Sequence, residues 1–157
     1  YGPLYMGLPE PEVLARSDRA LAQVGMAAFG PRMPHHLSLG ERKRASLATV
    51  LSMDVDVLAL DEPSAGLDPA ARRSLIDLLA SLPQTMLIAT HDLALARSLC
   101  TRAVVLRQGR VVADLPMQDL DEALLARPDD AAPGTVSSGS PERPASGIAC
   151  GWRARTV

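Results

Sequence analysis

Two neighbouring carboxylates follow a short apolar run, and their types and spacing suit phosphate chemistry. Residues 57–60 are almost continuously hydrophobic, and Asp61 and Glu62 come directly after them. Ligands of open α/β sheets bind at the carboxyl ends of the strands. An Asp in that place can hold Mg²⁺ in a phosphate-cleaving enzyme, and an adjacent Glu can orient or deprotonate a water. Taken alone, two acidic residues after a strand are also what an ordinary polar turn contains.

Two further segments carry polar groups suited to an anion. Ser38 and Glu41 have the S-x-x-E spacing of a capping box, and a helix that begins there presents backbone N–H groups and the positive end of its dipole. His91 follows an apolar strand pattern, and a His in that place can donate a hydrogen bond to a phosphate oxygen. Ordinary helix capping accounts for each of these features as well.

The hydrophobic periodicity predicts the elements that position these residues. Helical spacing is expected at 10–24, 38–53, 68–82 and 92–99, and strands at 57–60, 85–90, 103–106 and 111–112. The first two strands read as continuous apolar runs, so we expect them to be buried on both faces. Strands that alternate with helices predict an α/β fold with a largely parallel sheet.

The bulk composition argues against several classes of protein. The 157 residues, 47% of them hydrophobic, suffice for one domain with a core. The formal net charge of -2 lacks the basic footprint of nucleic-acid-binding proteins, and we interpret the basic run 42–44 as the solvated face of a helix. Cys100 and Cys150 have no CxxC spacing, so no metal site or disulfide framework is expected. No segment is long and apolar enough to span a bilayer.

Four polar segments occur in one order along the chain, and in that order they resemble the ATP-binding-cassette (ABC) ATPases. The segments read Leu-Ser-Leu-Gly-Glu at 37–41, Leu-Asp-Glu-Pro at 60–63, Ala-Gly-Leu-Asp-Pro at 65–69 and Thr-His-Asp at 90–92. Their joint occurrence is far more specific than any one of them. The match extends from about residue 3 to about residue 125, most of the part that is expected to fold.

The resemblance implies that the chain is the carboxyl-terminal portion of an ABC-type P-loop NTPase domain, an α/β fold in which helices flank a mainly parallel sheet. A helical subdomain with the signature motif is expected at about 8–53, and the strands up to the end of the sheet at about 54–126. Together they form a partial ABC ATPase domain over residues 1–126. The residues that follow offer little to bury, so we predict that 127–157 is a disordered tail.

The resemblance also implies roles for individual residues. Four of them stand where the family has its signature motif, which reaches the γ-phosphate of ATP bound to the other subunit: Ser38, Leu39, Gly40 and Glu41. Four others match positions of the ATPase core. Asp61 matches the Mg²⁺-associated Walker B aspartate, which acts through water, and Glu62 matches the catalytic base. Asp68 matches the D-loop aspartate at the dimer interface, and His91 matches the switch histidine that senses the γ-phosphate.

Two departures from the family pattern stand out. Leu39 occupies a position where the family usually has glycine, and a side chain there restricts the approach of the backbone to a phosphate. No G-x-x-x-x-G-K-[ST] sequence occurs, and the glutamine loop is absent too. In the family both lie upstream of the matching segments, so we expect that an amino-terminal portion is missing and that the chain is inactive alone.

The family resemblance implies cofactors and partners. ATP and Mg²⁺ are expected to bind, together with a second ABC ATPase subunit, identical or different, and an integral membrane transporter subunit that holds the protein at the cytoplasmic face of the plasma membrane. No nucleic-acid partner is expected. Several segments look like those of the ATPases of energy-coupling cobalt and nickel importers, which implies ion import: residues 2–9, the helix at 11–24, and residues 34–38, 42–44 and 64–68. The ATPase of another prokaryotic importer or exporter is the alternative.

Two alternatives to a transporter subunit stay open. One is a soluble ABC ATPase that acts in DNA repair, chromosome structure or translation. The other is a non-functional fragment, which the missing phosphate loop would indicate. The sequence that follows Asp61, with Pro63 and then 66–68, favours a transporter.

Overall fold

The part of the chain that the structure describes contains five α-helices and five strands. The structure is a computed structural model that describes residues 2–30, 34–121 and 146–150. The helices are α1 (Gly2–Tyr5), α2 (Glu10–Gln23), α3 (Leu39–Leu51), α4 (Pro69–Ser81) and α5 (Leu93–Leu99). The strands are β1 (Val57–Asp61), β2 (Thr85–Thr90), β3 (Arg102–Arg107), β4 (Arg110–Pro116) and β5 (Ser146–Cys150). Short 3₁₀ turns lie at Ala27–Phe29, Pro34–His36 and Met117–Asp119.

The strands form one mixed sheet in the order β1-β2-β5-β3-β4. β1 and β2 are parallel, and β5 runs antiparallel to both β2 and β3, so β2 and β3 point the same way. β3 and β4 form a hairpin whose turn residues, Gln108 and Gly109, have φ angles of 46° and 73°. Positive φ at both positions matches the right-handed twist of the strands. The α/β fold expected from the sequence is confirmed.

Side-chain caps fix the starts of the three helices that flank the site. Ser38 and Glu41 form the predicted capping box: the Glu41 N–H donates to Ser38 Oγ at 3.3 Å, and the Ser38 N–H donates to Glu41 Oε2 at 2.7 Å. Asp68 accepts from the Ala70 and Ala71 N–H groups at the start of α4. Asp92 caps α5 in the same way. These caps satisfy backbone donors that the helices leave unpaired.

The core lies on one face of the sheet. Leu58, Ile88 and Ala103 point into it and are almost fully buried, together with Leu79 of α4 and Leu95 of α5. On the opposite face the side chains of Val57 and Leu87 are 58% and 48% exposed. The expectation that β1 and β2 are buried on both faces is therefore wrong. Among the described residues, helices pack against alternate positions of these strands, so burial follows the two-residue period of the strand.

Two further expectations differ from the structure. The basic run 42–44 is not simply a solvated face, because Arg44 donates to the Val24 carbonyl at 2.9 Å and to Ser74 Oγ at 2.5 Å, linking α3 to the end of α2 and to α4. Pro3, Gly7 and Pro9 predict a loop at the start of the chain, but residues 2–5 form the helical turn α1.

Part of the predicted disordered tail belongs to the sheet. Ser146–Cys150 forms β5 and pairs with β2 on one side and with β3 on the other. A short segment of small and apolar residues is stable there because the two neighbouring strands satisfy its backbone groups from both sides. Residues 127–145 and 151–157 lie outside the described residues.

The alternating burial of β2 predicts very different effects for two adjacent substitutions. Ile88→Ala is expected to lower the free energy of unfolding by about 2–5 kcal/mol, because Ile88 is fully buried and its loss leaves a cavity. Leu87→Ala removes a half-exposed side chain of the same size and should cost at most about 1 kcal/mol. Urea unfolding of the two variants checks this, and equal losses would contradict the one-sided core.

Candidate functional site

Parallel pairing brings the predicted site residues together at one edge of the sheet. The register places Asp61 of β1 opposite Ala89 of β2. Glu62 follows Asp61 directly after β1, and Thr90 follows Ala89 as the last residue of β2. His91 comes next in the chain. The Glu62 N–H continues the pairing by donating to the Ala89 carbonyl at 2.8 Å. The carboxyl edge is where open α/β sheets bind their ligands.

Glu62 leaves β1 in a backbone conformation that is uncommon for its residue type. Its φ is 42°, in the left-handed region where a side chain crowds the backbone. Such conformations persist where the surrounding structure holds them, and they cluster at functional sites. The sequence carries no signal for this feature, because glutamate has no preference for left-handed backbone.

The Glu62 carboxylate is held by three donors from the end of β2. Its Oε1 accepts from the His91 N–H at 2.9 Å and lies 2.7 Å from His91 Nδ1. Its Oε2 accepts from Thr90 Oγ1 at 3.1 Å. An ionised carboxylate only accepts hydrogen bonds, so Nδ1 carries the ring proton in this contact. The Nε2 atom is then the ring nitrogen that remains for a ligand, and the His91 side chain is 75% exposed.

These contacts set the charge of Glu62. Partial burial by itself raises the pKa of the carboxyl, but the hydrogen bonds from the His91 ring, the His91 N–H and Thr90 outweigh it and hold the pKa below its ordinary value. The carboxylate is therefore ionised at neutral pH and ready to accept a hydrogen bond from water. A lowered pKa also makes it a weaker base, so in this conformation Glu62 is better suited to orient a water than to remove its proton outright.

Asp61 suits an indirect role in metal binding. It is exposed at the carboxyl end of β1, next to Glu62. Within residues 2–30, 34–121 and 146–150, no three His, Cys, Asp or Glu side chains come together as a metal site. Mg²⁺ keeps several waters and binds through one or two carboxylates together with substrate phosphates. A lone exposed carboxylate therefore fits a magnesium ion that phosphates and waters mainly hold.

Residues 38–41, the predicted signature motif and here called the signature segment, lie against the loop that leads into α4. A methyl group built on Gly66, whose φ is 74°, would lie 3.1 Å from Leu39 Cδ2. One built on Gly40 would lie 3.5 Å from Ala71 Cβ. The leucine at the position usually held by glycine is thus in contact with the loop before Asp68. Ser38 is exposed at the start of α3, and its hydrogen bonds are those of the capping box, with none to Glu62 or His91 among the described residues.

Asp92, the residue after His91, is the centre of an ionic cluster that sequence reasoning missed. Asp92 accepts from Ser64 Oγ at 2.9 Å, from Arg72 Nε at 2.6 Å and from the Leu95 N–H at 3.0 Å, and Arg72 Nη2 also bonds to it. Its own N–H donates to Thr90 Oγ1 at 3.0 Å. The sequence shows Asp92 as a helix cap, but Ser64 and Arg72 lie 28 and 20 residues away and carry no local signal.

The Asp92 cluster is hydrogen-bonded to Glu62, the predicted base, through the Thr90 hydroxyl. Thr90 Oγ1 accepts from the Asp92 N–H and donates to Glu62 Oε2. Ser64 and Arg72 belong to the segment from Glu62 to α4 that also contains Asp68. The cluster therefore anchors this segment to the end of β2 on which His91 sits.

Comparison with known proteins identifies the family. The sequence family described as "AAA domain, putative AbiEii toxin, Type IV TA system" matches residues 23–97, which include the Ser38 segment, Glu62 and His91. A putative ABC transporter ATP-binding protein of Streptomyces avermitilis is 54% identical over 114 residues, which is 73% of this chain and 44% of the relative. The chain is a homologue of ABC transporter ATP-binding proteins. It spans about half the length of the curated relatives it matches.

Two other ABC proteins extend the comparison. The energy-coupling factor transporter ATP-binding protein of Methanothermobacter thermautotrophicus is 38% identical over 131 residues, 81% of this chain and 42% of the relative. The solved structure of cbiO1 from Clostridium perfringens, described as part of the ABC transporter complex cbiONQ, has a TM-score of 0.69 and 35% identity, covering 79% of this chain and 52% of that one.

The comparisons confirm the family and the ABC fold. The roles of individual residues stay predictions that rest on the geometry described above. Among the described residues, no helix combines the length and the apolar character that a membrane span requires.

The Asp92 cluster predicts a specific loss of stability in acid. Hydrogen bonds from Arg72 hold the pKa of Asp92 at about 2, below its ordinary 3.8. A lowered native pKa stabilises the fold above the ordinary pKa, and this contribution is lost as the pH falls from about 4 to about 2. Asp92→Asn should therefore reduce the free energy of unfolding at pH 7 by about 1–2 kcal/mol. Because the variant has no carboxyl group to protonate at this position, its free energy of unfolding should fall less steeply over that window.

The matched control is Asp77→Asn, which removes an exposed carboxylate from α4. The free energy of unfolding, measured by urea denaturation at several pH values, should keep the wild-type slope in the control. A wild-type slope in Asp92→Asn as well would show that the Arg72 pair contributes nothing to stability.

Proposed function

We propose that this chain is part of the ATP-hydrolysing subunit of an ABC transporter, which couples ATP hydrolysis to transport across a membrane. The observation that supports this most is the joint placement of Glu62 and His91, hydrogen-bonded to each other at the carboxyl ends of β1 and β2 beside Asp61. The homology to ABC ATP-binding proteins supports the same chemistry.

In this proposal, Glu62 and His91 act on the γ-phosphate side of ATP. Ionised Glu62 accepts a hydrogen bond from a water and orients it toward the γ-phosphorus; the water's proton passes to the carboxylate as ADP leaves. His91 is oriented through Nδ1 by Glu62, and when both ring nitrogens are protonated its Nε2–H donates to a γ-phosphate oxygen. Asp61 would hold Mg²⁺ through water, and the metal, when bound, neutralises charge on the phosphates.

The signature segment is proposed to act on a second subunit. Ser38, Leu39, Gly40 and Glu41 lie at the start of α3, where a phosphate would meet backbone N–H groups and the positive end of the helix dipole. Ser38 makes no hydrogen bond to Glu62 or His91 among the described residues, which fits a segment that serves the nucleotide of a partner. Asp68 caps the adjacent helix α4 and is the proposed interface residue. The partner is a second ABC ATPase subunit, identical or different.

The transport partner and cargo follow from the relatives. One relative is named as an energy-coupling factor transporter protein, and one solved structure is described as part of a transporter complex. An integral membrane subunit is therefore the proposed second partner, with this protein peripheral on the cytoplasmic face of the plasma membrane. The resemblance of residues 2–9 to the ATPases of cobalt and nickel importers makes these ions the proposed cargo.

Turnover requires a phosphate-binding loop that this sequence does not contain. Asp61, Glu62 and His91 reach only the γ-phosphate, and no G-x-x-x-x-G-K-[ST] sequence is present to hold the β-phosphate. The 157-residue chain is proposed to be inactive on its own. Tests of catalysis therefore use an extended protein, in which this chain is joined to an amino-terminal segment that carries the loop.

In the extended protein, Glu62→Gln is expected to reduce ATP turnover by about 10²-fold or more while nucleotide affinity changes little, because glutamine keeps the shape and removes the base. Phosphate release and isothermal titration measure the two quantities. The chain without its added segment serves as the inactive control. Wild-type turnover by the variant would remove Glu62 from the mechanism.

The Glu62→Gln extended protein is also expected to dimerise at saturating Mg-ATP, because the signature segment contacts nucleotide only across an interface. Multi-angle light scattering with and without ATP measures the change in mass. Arg110→Met, which alters an exposed residue of β4, should leave the ATP-dependent dimerisation unchanged. A monomer under saturating nucleotide would contradict the two-subunit arrangement.

A further inference from the structure

Lys43 makes a contact that neither the sequence pattern nor the family resemblance assigned. It lies in α3 within the basic run 42–44, and its side chain turns inward and is half-buried. Its Nζ donates to the Glu62 carbonyl at 3.1 Å and to the Pro63 carbonyl at 2.8 Å. One ammonium group thus holds two successive carbonyls of the segment that follows β1.

The peptide that Lys43 holds is the one with left-handed backbone. Glu62 has a φ of 42°, its N–H donates to Ala89, and its carbonyl also accepts from the Ala65 N–H at 3.1 Å. The left-handed conformation costs free energy for a residue with a side chain, so it persists only where contacts on both sides hold it. Lys43 supplies the charged contact on the carbonyl side.

The surroundings of Lys43 strengthen that contact. Lys43 and Asp61 both border a cavity of about 310 Å³ whose other walls are mostly apolar. Leu47 of α3, Leu58 of β1 and Leu75 of α4 are among them. Hydrogen bonds to a charged donor are stronger where apolar side chains limit the approach of water.

The other two basic residues of the run point elsewhere. Arg42 donates to the Leu37 carbonyl at 2.6 Å, and Arg44 donates to Val24 and Ser74. Lys43 is therefore the member of the run that reaches the site. It stands in the same rigid helix as the Ser38 cap, so this single side chain links the start of α3 to the Glu62 peptide.

We propose that Lys43 is a positioning residue: it holds the left-handed Glu62 peptide, so that the carboxylate meets His91, and it fixes the signature helix α3 to the catalytic glutamate of the same chain. The part that concerns catalysis rests on the proposed function, in which Glu62 orients the attacking water. The part that concerns geometry depends only on the contacts of the 157-residue chain.

The geometric part is tested on the chain itself with Lys43→Met, which keeps the length of the side chain and removes its donors. Hydrogen–nitrogen NMR follows the backbone N–H of His91, which donates to Glu62 Oε1 at 2.9 Å. In the variant, the proton resonance of this N–H is expected to move upfield and its exchange with solvent to become faster, because the Glu62 carboxylate loses its alignment with the His91 N–H. Lys43→Arg, which keeps the charge and donors, should restore at least part of the wild-type resonance position and exchange rate.

The control is Arg110→Met, which removes a positive charge from an exposed position of β4. It should leave both the resonance of the His91 N–H and its exchange rate unchanged. If Lys43→Met also leaves both unchanged in a folded chain, the positioning role is overturned. Should Lys43→Met fail to fold, Lys43→Gln, which keeps a neutral donor, takes its place with the same expected direction and the same overturning result.

The catalytic part is tested in the extended protein. Lys43→Met is expected to lower kcat for ATP by about 10- to 100-fold with little change in KM, because it misplaces the base without touching the nucleotide. Added to Glu62→Gln, it should lower kcat no further, since it acts through Glu62. A wild-type kcat, or an equal fall in both backgrounds, would overturn the role.

The design separates failure of this inference from failure of the proposed function. Wild-type turnover by Glu62→Gln alone would reject Glu62 as the base and leave the NMR result on Lys43 standing. A loss of turnover in Glu62→Gln together with normal turnover in Lys43→Met would reject the catalytic role of Lys43 and leave the proposed function standing.

Discussion

The parallel pairing of β1 with β2 is the constraint on which the site depends. It sets Asp61 opposite Ala89, and the polar residues that follow each strand then meet at one edge of the sheet. Glu62 and His91 are 29 residues apart in the chain, yet they share two hydrogen bonds there. A shift of one residue in this register would turn each side chain to the other face of the sheet and separate the pair.

Charged side chains secure this edge from both sides. Asp92, with Arg72 and Ser64, anchors the segment after Glu62 to the end of β2. Lys43 binds the same segment from α3. Each of these charges is paired or bound to backbone carbonyls, which offsets the cost of removing it from water. Asp61 and the His91 ring, in contrast, are exposed at this edge.

The start of α3 packs against the start of α4. Leu39 lies close to Gly66 in the loop before α4, and Gly40 lies close to Ala71 in its first turn. α4 is in turn bound to Asp92 through Arg72. The start of α3 is therefore linked to the residues beside His91 through contacts that are all within one chain.

The sequence by itself determined the features that depend on neighbouring residues. The capping box of Ser38 and Glu41 and the apolar strands before Asp61 and His91 were predicted, because a cap acts within three residues and a strand extends over five or six. The order of the motifs was enough to indicate the family, which the comparisons confirm.

Only the tertiary structure decided which face of the sheet is buried, where β5 pairs, and how the site is held. Lys43 reaches carbonyls 19 and 20 residues away, and Arg72 reaches a carboxylate at a distance of 20 residues. No local pattern encodes such partners, because they are chosen by how α3 and α4 pack on the sheet. The left-handed backbone of Glu62 belongs to the same class, since glutamate has no intrinsic preference for it and contacts from distant residues on both sides hold it.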